Sequence, residues 1–136
     1  MTINKNDVVD VNFTIRNSET QSIIYQHTSS DNISLNKDEP LFEVLKVLIG
    51  KNDTYQGNFE FEKIESNESV IDKIPRNGVL KKINYKLGQI IRYQVNPYKY
   101  GVVVNVTEDE LSLETKNPFR RSNSLLKIEA KKVINN

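Results

Sequence analysis

Two alternating segments at opposite ends of the chain constrain the fold most. Near the C-terminus, Leu126, Ile128 and Ala130 alternate with charged residues, and residues 9–15 alternate apolar with polar side chains in the same way. A period of two is typical of a strand with one buried face. If the two strands pair, the ends of the chain close one sheet and the middle is an insertion. We therefore predict a discontinuous outer domain of residues 1–69 and 112–136, with residues 70–111 as an inserted β lobe.

One helix is predicted between these strands. Four apolar residues at positions i, i+3, i+4 and i+7 form a single stripe: Leu41, Val44, Leu45 and Leu48. Asp38 is the expected N-cap, and Gly50 ends the pattern. Residues 23–25 predict a short second strand, residues 55–61 a third, and several short β runs follow residue 70. The predicted fold class is α+β, mainly β.

Charge and composition limit the partners that the chain would recruit. The 136 residues include 19 basic and 18 acidic side chains, so a net charge of +1 provides no long-range attraction for nucleic acid or an anionic membrane. There is no cysteine and one histidine, His27, so we expect no metal site, no thiol chemistry and no cofactor. Neither a signal peptide nor an apolar run of about 18 residues is present. These features predict a cytoplasmic monomer.

Residues 111–133 have the order of strand, turn, polar loop and closing strand, with Asn117-Pro118-Phe119 at the turn. This order resembles the end of the SlyD-like branch of the FKBP-type prolyl isomerases, which has an Asn-His-Pro turn before its last strand. Earlier segments resemble that family in the same order: residues 5–17 its first strand, 22–26 its second strand, 40–50 its helix and 69–79 the start of its insert-in-flap domain. The resemblance implies an FKBP-like antiparallel sheet with one short helix and a small inserted β domain.

The activity that the resemblance implies is peptidyl-prolyl cis-trans isomerisation, the rotamase reaction. Its barrier is the partial double bond of the imide, about 18–20 kcal/mol, so neither nucleophile nor metal is needed. An apolar pocket accelerates the reaction by binding the twisted imide more tightly than the planar one. By position, the resemblance assigns this catalytic pocket to Phe13, Tyr25, Leu41, Val44 and Ile128.

This chain departs from the family at four of those positions, one of them Val44, where the family has a leucine or tryptophan at the floor of the pocket. The family usually has a tyrosine at Phe13, an aspartate at Tyr25 and a phenylalanine at Ile128. At Leu41, the resemblance implies that the backbone N–H receives the substrate carbonyl. The pocket stays apolar, but hydrogen bonds that would select the twisted imide are lost.

The inserted lobe is rich in apolar and aromatic residues. In the family this lobe holds unfolded chains, and the resemblance implies binding of unfolded or proline-containing polypeptides through five residues: Ile91, Tyr93, Tyr98, Tyr100 and Val103. The alternative is that the same side chains form the lobe's own small core.

Three functions remain open from the sequence. The first is a SlyD-like isomerase and folding chaperone, with the insert capturing unfolded segments and the outer domain isomerising Xaa-Pro bonds. The second is a degenerate relative that binds polypeptide without isomerase turnover. It is favoured by the tyrosine at position 25 and by the absence, in residues 62–69, of the Ala-Tyr-Gly turn that the family has before its insertion. The third is a small β-barrel binding module of the OB or SH3-like kind, whose strands would be contiguous in sequence.

Overall fold

A computed structural model describes residues 1–65, 68–94 and 99–134. The chain divides into two compact units, Met1–Phe61 with Asn123–Asn136 and Glu62–Ser122. The first unit is discontinuous in sequence, and the second is the segment inserted into it. The inserted unit is longer than the predicted residues 70–111 at both ends, since it begins at Glu62. It continues past residue 111 because the strand Glu110–Glu114 belongs to its own sheet.

The described residues form two four-stranded antiparallel sheets. The strands are β1 (Val8–Asn17), β2 (Ile23–Ser34), β3 (Thr54–Phe61), β4 (Ile71–Pro75), β5 (Ile90–Gln94), β6 (Lys99–Val106), β7 (Glu110–Glu114) and β8 (Ser124–Lys132). Their order is β2-β1-β8-β3 in the first unit and β4-β7-β6-β5 in the second. The fold is mainly β with one short helix, as predicted from the sequence.

The two ends of the chain pair, as their alternation predicts. β1 and β8 are antiparallel neighbours from Val9 opposite Lys132 to Asn17 opposite Ser124. The apolar residues that alternate along both strands are buried: Val9, Val11, Phe13, Ile15, Leu126, Ile128 and Ala130. Because side chains alternate across a strand, the intervening polar residues occupy the opposite face of the sheet.

The second strand is much longer than the predicted residues 23–25. β2 runs to Ser34 and pairs with β1 as far as Val8. Residues 26–32 contain no apolar side chain, so they carry no alternation from which a strand could be predicted. β2 lies at the edge of the sheet, and its buried apolar residues Ile24 and Ile33 lie near its two ends. Between them, the strand is paired with β1 through its backbone.

The helix is shorter than its apolar stripe, and the predicted cap is wrong. α1 covers Phe42–Leu45 and continues as a 3₁₀ turn over Lys46–Leu48. The stripe residues Leu41, Val44, Leu45 and Leu48 are all buried. The helix begins at Phe42, four residues after Asp38, so the N-cap position is Leu41, which makes no side-chain cap.

The second unit packs its sheet around a small apolar cluster. Val103, Leu111 and Leu113 are fully buried at its centre, on β6 and β7. The turn Asn117-Pro118-Phe119 closes the unit, with Asn117 in the left-handed region at φ 48° and the buried Phe119 ring 5.5 Å from the Tyr100 ring. No helix in the described part of the chain has the length and apolar character needed to cross a membrane.

Candidate functional site

Three of the predicted pocket residues, Phe13, Tyr25 and Ile128, form a row across the sheet of the first unit. Phe13 on β1 lies directly opposite Ile128 on β8, and Gly57 on β3 lies opposite Ile128 from the other side. The ring of Tyr25 on β2 lies 5.5 Å from the Phe13 ring. The row therefore spans all four strands of this sheet.

Most of this predicted pocket is closed. Phe13 is 2% exposed, and Leu41, Val44 and Ile128 are each 1% exposed, whereas Tyr25 is half-buried. A side chain without exposed surface contacts other molecules only after its neighbours move. In this conformation, these four residues pack the core of the first unit.

The backbone N–H that the resemblance assigns to the substrate carbonyl has an acceptor within the chain. The Leu41 N–H donates to Glu39 Oε1 at 3.3 Å. Burial raises the pKa of Glu39 above its ordinary value, and the bond from Leu41 opposes that rise only in part. A substrate carbonyl would have to displace this carboxylate.

Tyr55 is a further aromatic residue beside the row that the resemblance does not indicate. It is half-buried on β3, and a Cβ at Gly57 would collide with its Oη atom. The Tyr55 ring therefore covers the gap left by Gly57 next to Ile128. Its Tyr-x-Gly spacing is visible in the sequence, because residues two apart on a strand share a face.

The opposite, polar face of the same sheet has a depression of about 460 Å³. Asp10, Asn12, Gln56, Glu129 and Lys131 contribute to its lining. The Gln56 Nε2 donates to Glu129 Oε1 at 3.1 Å across the neighbouring strands β3 and β8. Thr54, Tyr55 and Ala130 complete the lining, so charged and amide side chains outnumber the apolar ones in this depression.

Residues predicted to bind substrate in the insert contribute to the packing of the second unit. Tyr100 and Val103 are buried, and Ile91 and Tyr93 are half-buried against the Val103 cluster. Tyr98 lies outside the described residues. In this conformation, the four described side chains are core or core-covering residues rather than an open groove.

Tyr93 also forms a hydrogen bond across the second sheet. Its hydroxyl on β5 donates to Asp72 Oδ2 on β4 at 2.6 Å, although β6 and β7 lie between these two strands. Burial raises the pKa of Tyr93 to about 12, and the bond and charge of Asp72 act in the same direction. The raised pKa extends to higher pH the range over which the phenol is neutral and can donate this hydrogen bond.

An exposed apolar segment lies elsewhere in the second unit. Residues 78–87, here called the 78–87 segment, contain a 3₁₀ turn at Gly78–Lys82. Val79 is 75% and Leu87 is 70% exposed, and Leu80 and Ile83 are also exposed. Single exposed aliphatic residues are common, but four in ten residues form a candidate binding surface.

The Arg76 side chain holds this segment in place. Its guanidinium donates to four backbone carbonyls: Leu80 at 3.4 Å, Lys81 at 3.3 Å, Ile83 at 3.0 Å and Thr107 at 2.6 Å. It also lies 5.6 Å from the centre of the Tyr85 ring, within the range of a cation–π contact. One side chain thus links the 78–87 segment to the turn between β6 and β7.

Comparison with known proteins adds no family assignment. No protein-family model matches the sequence, and no curated protein is similar enough to serve as a relative. Within the described residues, no group of three or more His, Cys, Asp or Glu side chains is arranged to hold a metal ion. Any functional assignment therefore depends on the row of Phe13, Tyr25 and Ile128 in the first unit and on the 78–87 segment in the second.

Proposed function

We propose that this protein is a SlyD-like folding helper that binds unfolded polypeptide through its second unit. The observation that carries the proposal is the 78–87 segment, where Arg76 anchors a backbone that exposes four large aliphatic side chains. Such a surface fits the apolar side chains of an extended polypeptide. The insertion of one β unit between β3 and β8 of another supports an FKBP-like domain with an insert-in-flap domain.

Isomerisation of Xaa-Pro bonds would belong to the first unit. The contact of Phe13 with Tyr25, beside Ile128, supports an aromatic and apolar pocket if the covering residues move. Binding without turnover is favoured by two observations: the missing aspartate at Tyr25 and the engagement of the Leu41 N–H by Glu39. We therefore propose polypeptide binding as the main activity and isomerisation as the second candidate.

A single pair of assays tests both activities. The protein should suppress aggregation of an unfolded test protein at roughly equimolar concentration, because its exposed aliphatic residues cover those of the client. A proline-limited refolding phase takes about 10–100 s without catalyst. Acceleration of that phase by substoichiometric protein would add isomerase activity to the proposal. No effect in either assay would overturn the proposed function.

Tyr25→Asp tests whether the row in the first unit is an altered isomerase pocket. The substitution restores the carboxylate that the family has beside the residue at Phe13. We expect the proline-limited phase to be faster with this variant than with the wild type. Tyr25→Asn is the matched control, since it has nearly the same size and no charge. Equal rates for the two variants, both folded by circular dichroism, would count against an altered family pocket.

A further inference from the structure

The sequence around the 78–87 segment carries only positive charge. Between Lys73 and Thr107 there is no Asp or Glu, whereas seven cationic residues occur: Lys73, Arg76, Lys81, Lys82, Lys86, Arg92 and Lys99. The whole chain has a net charge of only +1, so its charges are segregated rather than in excess. Three acidic residues, Glu108, Asp109 and Glu110, follow directly in and beside the turn that Arg76 contacts, so the cationic character belongs to the 78–87 segment itself and not to all of its surroundings.

Within the 78–87 segment, lysines lie between the exposed aliphatic residues. Lys82 and Lys86 are exposed, and in the described part of the chain neither is paired with a carboxylate. Lys81 approaches Asp109 at 3.9 Å, with both side chains mostly in solvent. A contact of that kind contributes little and leaves the ammonium group accessible to another anion.

We propose that the 78–87 segment selects unfolded polypeptide segments in which aliphatic residues are interspersed with Asp or Glu. This inference rests on the proposed polypeptide-binding function and specifies its substrate class. Aliphatic side chains of the client would contact Val79 and Leu87, while its carboxylates would pair with Lys82 and Lys86. Complementary charge favours encounter and rejects basic clients, because like charges brought together are unfavourable.

The composition of the segment favours polypeptide over other anionic partners. Single-stranded nucleic acid is usually held by basic grooves with exposed aromatic rings for base stacking. The aromatic residue of this segment, Tyr85, is half-buried and lies against the Arg76 guanidinium. A membrane surface is typically bound by a long amphipathic helix, whereas the regular structure here is a 3₁₀ turn of five residues.

Three fluorescent peptides test the selectivity. They share the same leucine and valine positions and differ only in the intervening residues, which are Glu, Gln or Lys. Fluorescence anisotropy with the full chain at low salt should show binding of the Glu peptide at least about tenfold tighter than that of the Lys peptide, with the Gln peptide between them. The advantage should shrink when the ionic strength is raised to about 0.5 M, because exposed ion pairs are screened.

Paired variants locate the effect on the 78–87 segment. Lys82→Gln with Lys86→Gln should weaken binding of the Glu peptide by about fivefold to tenfold and leave the Gln peptide unchanged. Val79→Ser with Leu87→Ser should weaken binding of both peptides. Lys127→Gln with Lys131→Gln removes the same charge from β8 of the first unit and should change neither affinity.

The outcomes separate this inference from the proposed function. Equal affinity for all three peptides would overturn the acidic preference and leave polypeptide binding intact. Failure to bind any of them, together with no suppression of aggregation, would overturn both. Tighter binding of poly(U) RNA or of phosphatidylserine vesicles, lost in the Lys82→Gln, Lys86→Gln variant, would replace the acidic polypeptide with that partner.

Discussion

Replacing Glu114 with alanine should destabilise the second unit by about 3 kcal/mol. The Glu114 side chain is 1% exposed, and its carboxylate accepts hydrogen bonds from Ser69 Oγ at 2.5 Å, Val70 N–H at 3.0 Å and Lys116 N–H at 3.0 Å. Arg121 Nη2 lies 3.9 Å away. Alanine would leave three donors and a nearby cation without their acceptor. The lower stability should be visible in hydrogen exchange, because the amides of β4 and β7 should lose protection at a lower urea concentration than in the wild type.

The same carboxylate predicts the direction of a pH effect. Burial alone raises the pKa of Glu114, but the hydrogen bonds from Ser69, Val70 and Lys116 and the charge of Arg121 together lower the pKa below its ordinary value of 4.5. The folded unit therefore binds a proton less readily than the unfolded chain. The contribution of the Glu114 carboxylate to the stability of the second unit is complete above pH 4.5. It is lost as the pH falls through the lower pKa of the folded state.

Two variants provide the controls for this prediction. Glu108→Ala removes an exposed carboxylate from the neighbouring turn and should change the free energy of unfolding by less than about 0.5 kcal/mol. Glu114→Gln keeps an oxygen acceptor without the charge, so it should lose less stability than Glu114→Ala. It should also lose most of the dependence of stability on pH below the ordinary pKa of 4.5. If Glu114→Ala and Glu108→Ala unfold at the same urea concentration, the Glu114 carboxylate does not stabilise the second unit.

Local patterns predicted the first unit better than the second. Alternation in residues 9–15 and 126–130 was sufficient to predict β1, β8 and their pairing, because one buried face imposes a period of two. The apolar stripe of the helix predicted its buried face. The cap and the length of the helix were not predictable from the stripe, because residues 36–41 form turns and the helix begins only after Leu41.

The features that could not be predicted from the sequence depend on contacts between residues that are far apart in the chain. Aromatic content pointed to Tyr93 and Tyr100 as binding residues, but in the second unit both contribute to packing. The exposure of residues 78–87 depends on carbonyls held by Arg76, and no local pattern encodes those bonds. Glu114 is buried because β7 lies between β4 and β6, and a glutamate near the end of a short strand would ordinarily be assigned to solvent.

Arg76→Lys should loosen the 78–87 segment and weaken client binding together. A lysine keeps the charge, but its ammonium group cannot reproduce the planar fork that meets the carbonyls of Leu80, Lys81 and Ile83. Losing two or three of these bonds at a partly exposed site should cost about 2 kcal/mol locally. Hydrogen exchange of the amides from residue 78 to 88 should accelerate by at least about tenfold, since 1.4 kcal/mol corresponds to a factor of ten.

The proposed polypeptide binding by the second unit predicts that affinity for a client decreases when the 78–87 segment loosens. A surface that is already ordered loses less conformational entropy when a client binds, so a mobile 78–87 segment should bind the same client more weakly. Arg92→Lys is the matched control, because Arg92 is an exposed arginine on β5 outside the segment. Aggregation suppression by Arg76→Lys should fall by at least about threefold while Arg92→Lys retains the wild-type level. Faster hydrogen exchange with unchanged suppression of aggregation would show that the aliphatic side chains bind without the order that Arg76 imposes. Unchanged hydrogen exchange would show that the guanidinium does not hold the 78–87 segment.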